Sequence, residues 1–117
     1  MRKISLMIIL LALASCVQPS YNKTVVVTLD VSALKNIQSV GIRGEGKPLS
    51  WEADYPMTEV VKDSVYRAII TTKTGYLFAT YKCTVNGNFE LQEQPNRRII
   101  FDTKKDTTYV DLVFDKP

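Results

Sequence analysis

The dipeptide Asn86-Gly87 constrains the fold more than any other feature, because it separates two runs of alternating polar and apolar residues. A type I′ turn needs positive φ at both central residues, and Asn-Gly adopts this conformation at low cost. A two-residue turn pairs Val85 with Asn88 and Thr84 with Phe89, and directly opposed residues share a face. The sequence therefore predicts a β-hairpin centred on this dipeptide.

Continuing the same register places Lys82 and Leu91 on the face of Phe89, and Glu90 on the face of Cys83. A carboxylate on an apolar face needs a hydrogen-bonding or charged partner. Arg97 or Arg98 is the expected partner, and a β-bulge that turns Glu90 outward would satisfy the same requirement.

The rest of the chain also has a period of two, which favours short strands. The predicted strands outside the hairpin loop comprise residues 24–31, 38–43, 56–62, 65–72, 76–85, 98–101 and 108–114. Residues 31–36 fit either one helical turn or a loop. Seven or eight short strands separated by turn residues predict an all-β sandwich. Val110, Leu112 and Phe114 are expected to face the same interior as the first strand.

The first residues have the features of an export signal. Arg2 and Lys3 precede an apolar run from residue 4 to residue 13, which is too short to span a bilayer comfortably. Leu13-Ala14-Ser15-Cys16 resembles a bacterial lipobox, which implies cleavage before Cys16 and a lipid on its thiol. An ordinary secretory signal is the alternative. The predicted organisation is a lipoprotein signal peptide at 1–15, a tether at 16–23 and a domain at 24–117.

The residues after Cys16 contain no adjacent aspartate. By resemblance to bacterial sorting signals this favours anchoring in the outer membrane, with the periplasmic and surface faces both left open. Without Arg2 and Lys3 the chain is close to neutral and has no basic block, so no nucleic-acid partner is expected. A lipidated Cys16 also leaves Cys83 without a disulfide partner in the chain.

The composition argues against catalysis. The chain has no histidine, which removes Ser-His-Asp and Cys-His mechanisms and most zinc sites. Cys83 has the position of a small buried hydrophobic residue. No spacing fixes a pair of carboxylates at the separation a glycosidase needs. We therefore expect no enzymatic activity, no cofactor and no metal site.

The residue types that remain are suited to carbohydrate binding. Trp51 is the only tryptophan and lies in a loop rich in glycine and proline. Sugar rings stack their C–H faces on aromatic rings, while their hydroxyls need polar side chains. Trp51, Phe89, Lys82 and Asn96 supply both kinds of group if the fold brings them together. A tryptophan buried in the core is the alternative for Trp51.

A resemblance to a known family supports this interpretation. The motifs that carry it, in chain order, are Val40-Gly41-Ile42-Arg43-Gly44, Pro48-Leu49-Ser50-Trp51-Glu52, Tyr81-Lys82-Cys83, Phe89-Glu90 and Pro95-Asn96-Arg97. This order resembles the starch-binding domains of carbohydrate-binding module family 20. It is also similar to the glycogen-binding domain of AMP-activated kinase β subunits. The resemblance spans about residues 24 to 115.

The resemblance implies an immunoglobulin-like antiparallel β-sandwich that stacks an α-glucan on two aromatic platforms. Trp51 then matches the first platform and Phe89 the second, whereas Lys82 and Asn96 match the residues that bind hydroxyls. Glu90 matches the glutamate beside the second platform. The family has tryptophan where this chain has Phe89, and the segment from Glu90 to Asn96 is about two residues longer than in the family.

Together these features predict a membrane-anchored, non-catalytic module that binds an α-glucan-like carbohydrate. The alternative is a structural or protein-interaction lipoprotein that has the same sandwich and no sugar site; its protein partner is unknown. Exposure of Trp51 and Phe89 on one surface favours the first hypothesis, and burial of either ring favours the second.

Overall fold

Nine β-strands form two sheets in the computed structural model, which describes residues 19–117. The strands are β1 (Tyr21–Asp30), β2 (Val40–Gly44), β3 (Tyr55–Pro56), β4 (Thr58–Val61), β5 (Val65–Thr74), β6 (Phe78–Val85), β7 (Asn88–Phe89), β8 (Arg97–Ile100) and β9 (Thr107–Val113). This part of the chain contains no helix, so the predicted all-β sandwich is confirmed. The predicted signal peptide and Cys16 lie outside the described residues.

Each sheet contains strands that are distant in sequence. The first sheet has the order β4-β5-β1-β9, and the second has β3-β2-β6-β7, with β8 also paired to β6. All pairings are antiparallel except β1 with β9, so the predicted antiparallel sandwich contains one parallel pair. The first and last strands therefore lie side by side, with Val27 opposite Val110.

The core lies between the two sheets and follows the predicted period of two. Val25, Val27 and Leu29 of β1 are fully buried, and the alternate residues of β5, Tyr66, Ala68 and Ile70, are buried beside them. The second sheet contributes a matching set, consisting of Val40, Ile42, Tyr81, Cys83, Val85 and Ile99. Val110, Leu112 and Phe114 pack against this core as expected. Burial of these side chains supplies most of the driving force for folding.

The segment 56–62 differs from its prediction as one strand. Its first part, β3, pairs with β2 of the second sheet, while β4 pairs with β5 of the first. Met57 lies between them, is buried, and donates its backbone N–H to the carbonyl of Val40. The segment is divided because the chain crosses here from one sheet to the other.

Smaller differences from the prediction occur at two strand ends and in one loop. β1 begins at Tyr21, within the predicted tether, and β6 begins at Phe78 rather than Tyr76. Residues 31–39 form turns and loop rather than a helical turn. Among residues 19–117 there is no helix of the length and apolarity needed to cross a membrane.

The hairpin at Asn86-Gly87 has the predicted turn and register. Asn86 has φ 52° and Gly87 has φ 78°, as a type I′ turn requires. Thr84 pairs with Phe89 and Val85 with Asn88. The strand ends at Phe89, however, and Leu91 has φ 50°, so the expected pairing of Lys82 with Leu91 does not form.

Candidate functional site

A shallow groove of about 390 Å³ lies beside β6 and β7 of the second sheet. Its lining residues are Trp51, Lys82, Phe89, Gln92, Glu93 and Asn96. The structure thus brings together four of the five residues predicted to bind carbohydrate. The fifth, Glu90, does not line the groove.

Trp51 and Phe89 form the aromatic part of the groove. Their ring centroids are 6.3 Å apart and the ring planes are inclined by 50°. Both side chains are half-buried, so each is packed on one side and open on another. The guanidinium carbon of Arg43 lies 5.1 Å from the centroid of Phe89, which is a cation–π distance. The two rings form an angled surface rather than a flat one.

The position of Trp51 depends on a cluster of polar contacts at the end of its loop. Arg43 of β2 donates from Nε to Oδ1 of Asp54 at 2.7 Å, and from a terminal nitrogen to the Trp51 carbonyl at 3.5 Å. Thr84 of β6 donates its hydroxyl to the same Asp54 oxygen at 2.8 Å. Asp54 therefore fastens the loop that carries Trp51 to two strands of the sheet.

Gly41 provides the space for this contact. A Cβ atom at Gly41 would lie 2.7 Å from Cβ of Asp54 and 2.8 Å from its carboxyl carbon, closer than nonbonded atoms approach. Any side chain at this position would push Asp54, and with it the loop, away from the sheet. Neither Arg43 nor Asp54 was predicted as part of the site. The available signal was the alternation in β2, which places Arg43 and Gly41 on one face.

Lys82 supports the opposite rim of the groove. Its ammonium donates to the carbonyl of Leu91 at 2.8 Å and to that of Gln94 at 3.0 Å. These bonds hold a turn in which Leu91 and Glu93 both have positive φ. An ammonium has three donors, so one N–H remains beyond these two bonds. Lys82 is buried, lines the groove and positions the turn.

The turn after Phe89 adds polar groups that were not predicted from the sequence. Gln92 and Glu93 line the groove beside Asn96, and all three are exposed. They provide amide donors and acceptors and one carboxylate, which are the groups that recognise hydroxyls. The residues between Glu90 and Asn96 form this turn and supply part of the polar rim.

Glu90 is fully buried and is bound on several sides by the protein. Arg97 donates to both of its oxygens, at 2.9 Å and 2.7 Å, and the backbone N–H groups of Cys83 and Asp115 donate at 2.7 Å and 3.3 Å. Burial alone would raise the pKa of Glu90, but these hydrogen bonds and the charge of Arg97 hold the pKa below its ordinary value. Glu90 therefore lies on the face of Cys83, as the register predicted, and Arg97 is its partner.

Cys83 itself is fully buried and has no disulfide partner among residues 19–117. Burial raises the pKa of its thiol well above the ordinary value, and the neighbouring charge of Glu90 raises it further. The thiol is consequently protonated and packs as a small apolar group.

Comparison with known proteins identifies a similar fold but does not identify a family. No family model matches the chain, and no curated protein matches it. A solved structure, the glycoside hydrolase family 15 glucoamylase from Hypocrea jecorina, is similar to it, with a TM-score of 0.62 and 15% sequence identity. The match covers 86% of this chain and 18% of the glucoamylase, so this chain corresponds to less than a fifth of that protein. At this identity the likeness establishes a shared β-sandwich fold.

Proposed function

We propose that this protein is a non-catalytic, lipid-anchored module that binds an α-glucan-like carbohydrate in the groove. The observation that carries the proposal is the pair formed by Trp51 and Phe89, two half-buried rings 6.3 Å apart at one surface groove. Neither ring is buried in the core, which removes the main argument for a purely structural tryptophan.

The shape of the aromatic pair favours a curved ligand. Each ring offers an apolar face to the C–H face of one sugar, and the 50° inclination turns one stacked sugar relative to the next. An α-linked glucan curves along its length in this manner, whereas a flat β-linked chain needs coplanar platforms. The rim of Lys82, Gln92, Glu93 and Asn96 supplies donors and acceptors for the hydroxyls.

The comparison with known structures is consistent with this assignment. The similar chain is named a glucoamylase, and the resemblance to starch-binding domains rests on motifs that include four groove residues. The proposal remains non-catalytic because Glu93 is the one carboxylate among the groove's lining residues, whereas glycoside hydrolysis uses a pair.

Anchoring through Cys16 is the second part of the proposal. It is supported by the sequence Leu13-Ala14-Ser15-Cys16 after a short apolar run. The absence of an adjacent aspartate supports a site in the outer membrane. A lipid at Cys16 would carry the groove on a tether of only a few residues, since β1 begins at Tyr21.

Calorimetric titration of the mature protein tests the carbohydrate part. We expect saturable binding of maltoheptaose and little or no binding of cellohexaose, because the second ligand is flat. Trp51→Ala should abolish measurable binding while costing only about 1 kcal/mol in unfolding free energy, since the side chain is half-buried. Tyr109→Ala, which removes an exposed aromatic ring from the other sheet, is the matched control and should bind normally. No heat with either sugar would contradict the proposal.

One set of contacts favours the alternative, a structural or protein-interaction lipoprotein without a sugar site. Lys82 already donates to two carbonyls, and Arg43 lies against the ring of Phe89, so both groups have partners within the protein. Under this alternative, the groove would bind neither maltoheptaose nor cellohexaose. The calorimetric titration therefore separates the two functions.

A further inference from the structure

One end of the sandwich exposes an unusual amount of apolar surface. Tyr76 is 79% exposed, Leu77 67% and Ile100 70%, and Phe78 is also exposed. These four residues form what we call the apolar tip. Phe78 pairs directly with Ile100, so both side chains lie on one face. A contiguous exposed apolar patch marks a surface that contacts something other than water.

The part of the chain that the structure describes begins at this same end of the sandwich. Tyr21 pairs with Thr74, so β1 starts beside the turn that contains Tyr76 and Leu77. The carbonyl oxygen of Pro19 lies 2.9 Å from the position that a Cβ atom on Gly75 would occupy. Pro19 is therefore in contact distance of the turn that forms the apolar tip.

Covalent geometry sets an upper limit on the distance between Cys16 and Pro19. Two residues lie between them, so their Cα atoms are three steps apart and at most about 11 Å from each other. A lipid on Cys16 would thus hold the apolar tip within roughly that distance of the bilayer surface. With such an anchor, the short segment before Pro19 would keep the apolar tip close to the membrane.

Charged side chains around the apolar tip have the composition of a membrane interface. Lys23, Lys47 and Lys73 line the two clefts on either side of Tyr76, together with the acidic residues Glu45 and Asp102. The guanidinium carbon of Arg98 lies 4.4 Å from the ring centroid of Phe78. Aromatic rings at the headgroup level with lysine and arginine beside them are typical of membrane-bound surfaces. The excess of cations matches an anionic lipid surface.

We propose that the apolar tip is a membrane-contact surface, which inserts Tyr76, Leu77, Phe78 and Ile100 into the interfacial layer of the bilayer that holds the Cys16 lipid. This inference rests on the lipid-anchor part of the proposed function and is independent of the sugar site. β6 starts at the tip and reaches Lys82 and Thr84 four to six residues later, which corresponds to about 13–20 Å along a strand. The groove would then open above the lipid surface.

Fluorescence quenching by brominated acyl chains tests this surface. The lipidated mature protein, with acylation of Cys16 established by mass spectrometry, is incorporated into vesicles of phosphatidylethanolamine and phosphatidylglycerol. Leu77→Trp places a reporter in the apolar tip, and the native Trp51 provides the background signal. Val61→Trp is the matched control, because Val61 is an exposed apolar residue whose partner Val65 lies at the other end of β5.

We expect brominated chains to quench most of the added emission of Leu77→Trp, and to leave the wild type and Val61→Trp nearly unchanged. Equal quenching of the Leu77 and Val61 reporters would overturn the proposal. An absence of lipid on Cys16 would overturn it as well, as would disulfide-linked dimers of a Leu77→Cys variant, which would make a second copy the occupant. A parallel maltoheptaose titration of the same vesicles reports the sugar site separately, so either proposal can fail without the other.

Discussion

At the scale of single residues, Glu90 contributes to the stability of the fold and does not line the groove proposed to bind carbohydrate. It was expected to lie beside the second aromatic platform, yet it is fully buried and bound by Arg97 and two backbone N–H groups. Its pKa is held below the ordinary value, so its contribution to stability is present above the unfolded pKa of about 4.3 and is lost as pH falls through the folded pKa.

Glu90→Gln should therefore destabilise the protein by about 3 kcal/mol at neutral pH, because Arg97 loses its buried partner charge. The difference from the wild type should shrink as the pH falls below the unfolded pKa of about 4.3 and through the lower folded pKa, where the native carboxylate becomes protonated. Urea denaturation at neutral and acidic pH measures both effects. Glu93→Gln, a substitution at an exposed position in the same turn, is the control. It should leave the free energy of unfolding unchanged at both neutral and acidic pH. A cost independent of pH would contradict the account.

At the scale of elements, the loop that carries Trp51 is fitted to β2 through one glycine. Gly41→Ala would place a methyl group 2.7 Å from Cβ of Asp54, so the contact between Asp54 and Arg43 must loosen. We expect a loss of about 1–3 kcal/mol in unfolding free energy from overpacking. We also expect a shift in Trp51 emission, since the loop moves away from the sheet.

A fluorescence spectrum and a thermal unfolding curve of Gly41→Ala measure these two quantities. Unchanged Trp51 emission with lowered stability would show that the loop is held by other contacts. Asp54→Asn, which keeps the shape and removes the charge, is the companion variant: it should weaken the bond to Arg43 without adding volume.

At the hairpin turn, two substitutions of Asn86 separate the effect of backbone strain on stability from the effect of hydrogen bonding. The Asn86 side chain accepts from the N–H groups of Gln38 and Ser39 and donates to the carbonyl of Asn36. Asn86→Gly removes these bonds and tolerates the positive φ, whereas Asn86→Ala also adopts an unfavourable left-handed conformation. Alanine should be less stable than glycine by about 1 kcal/mol in chemical denaturation. Equal stabilities would show that the turn changes conformation.

Local features of this fold were predictable from the sequence. The Asn86-Gly87 turn and the alternation in β1 and β5 depend on neighbouring residues, and the structure has both. The division of residues 56–62 between two sheets and the parallel pairing of β1 with β9 depend on contacts between distant segments. No local pattern encodes these contacts.

The residues of the candidate site were likewise only partly predictable from the sequence. Trp51 and Phe89 were identified because their residue types and motifs are visible in sequence. Gln92 and Glu93 reach the groove only because the chain turns at Leu91 with positive φ. Arg43 and Asp54 hold the Trp51 loop only because that loop folds over Gly41. A non-glycine residue in that conformation is uncommon, so the turn could not be expected from the identity of Leu91.

At the scale of the whole molecule, the two proposed surfaces occupy different parts of the sandwich. β1 and β6 both begin beside the apolar tip and run toward the Asn86-Gly87 end, and the groove lies partway along β6. A module fixed to a membrane by its tip would present the groove sideways or upward. Membrane contact and carbohydrate binding would then operate without competing for the same residues.

The proposed function depends on Trp51 and Phe89 stacking a carbohydrate together, and Trp51 is the natural reporter because it is the only tryptophan. Titration of the wild-type protein with maltoheptaose, followed by intrinsic tryptophan emission, measures this directly. The account predicts a saturable change in Trp51 emission that is lost in Phe89→Ala. An emission spectrum that stays constant up to millimolar sugar, where a site with a Kd of about 1 mM would be half-occupied, would contradict it.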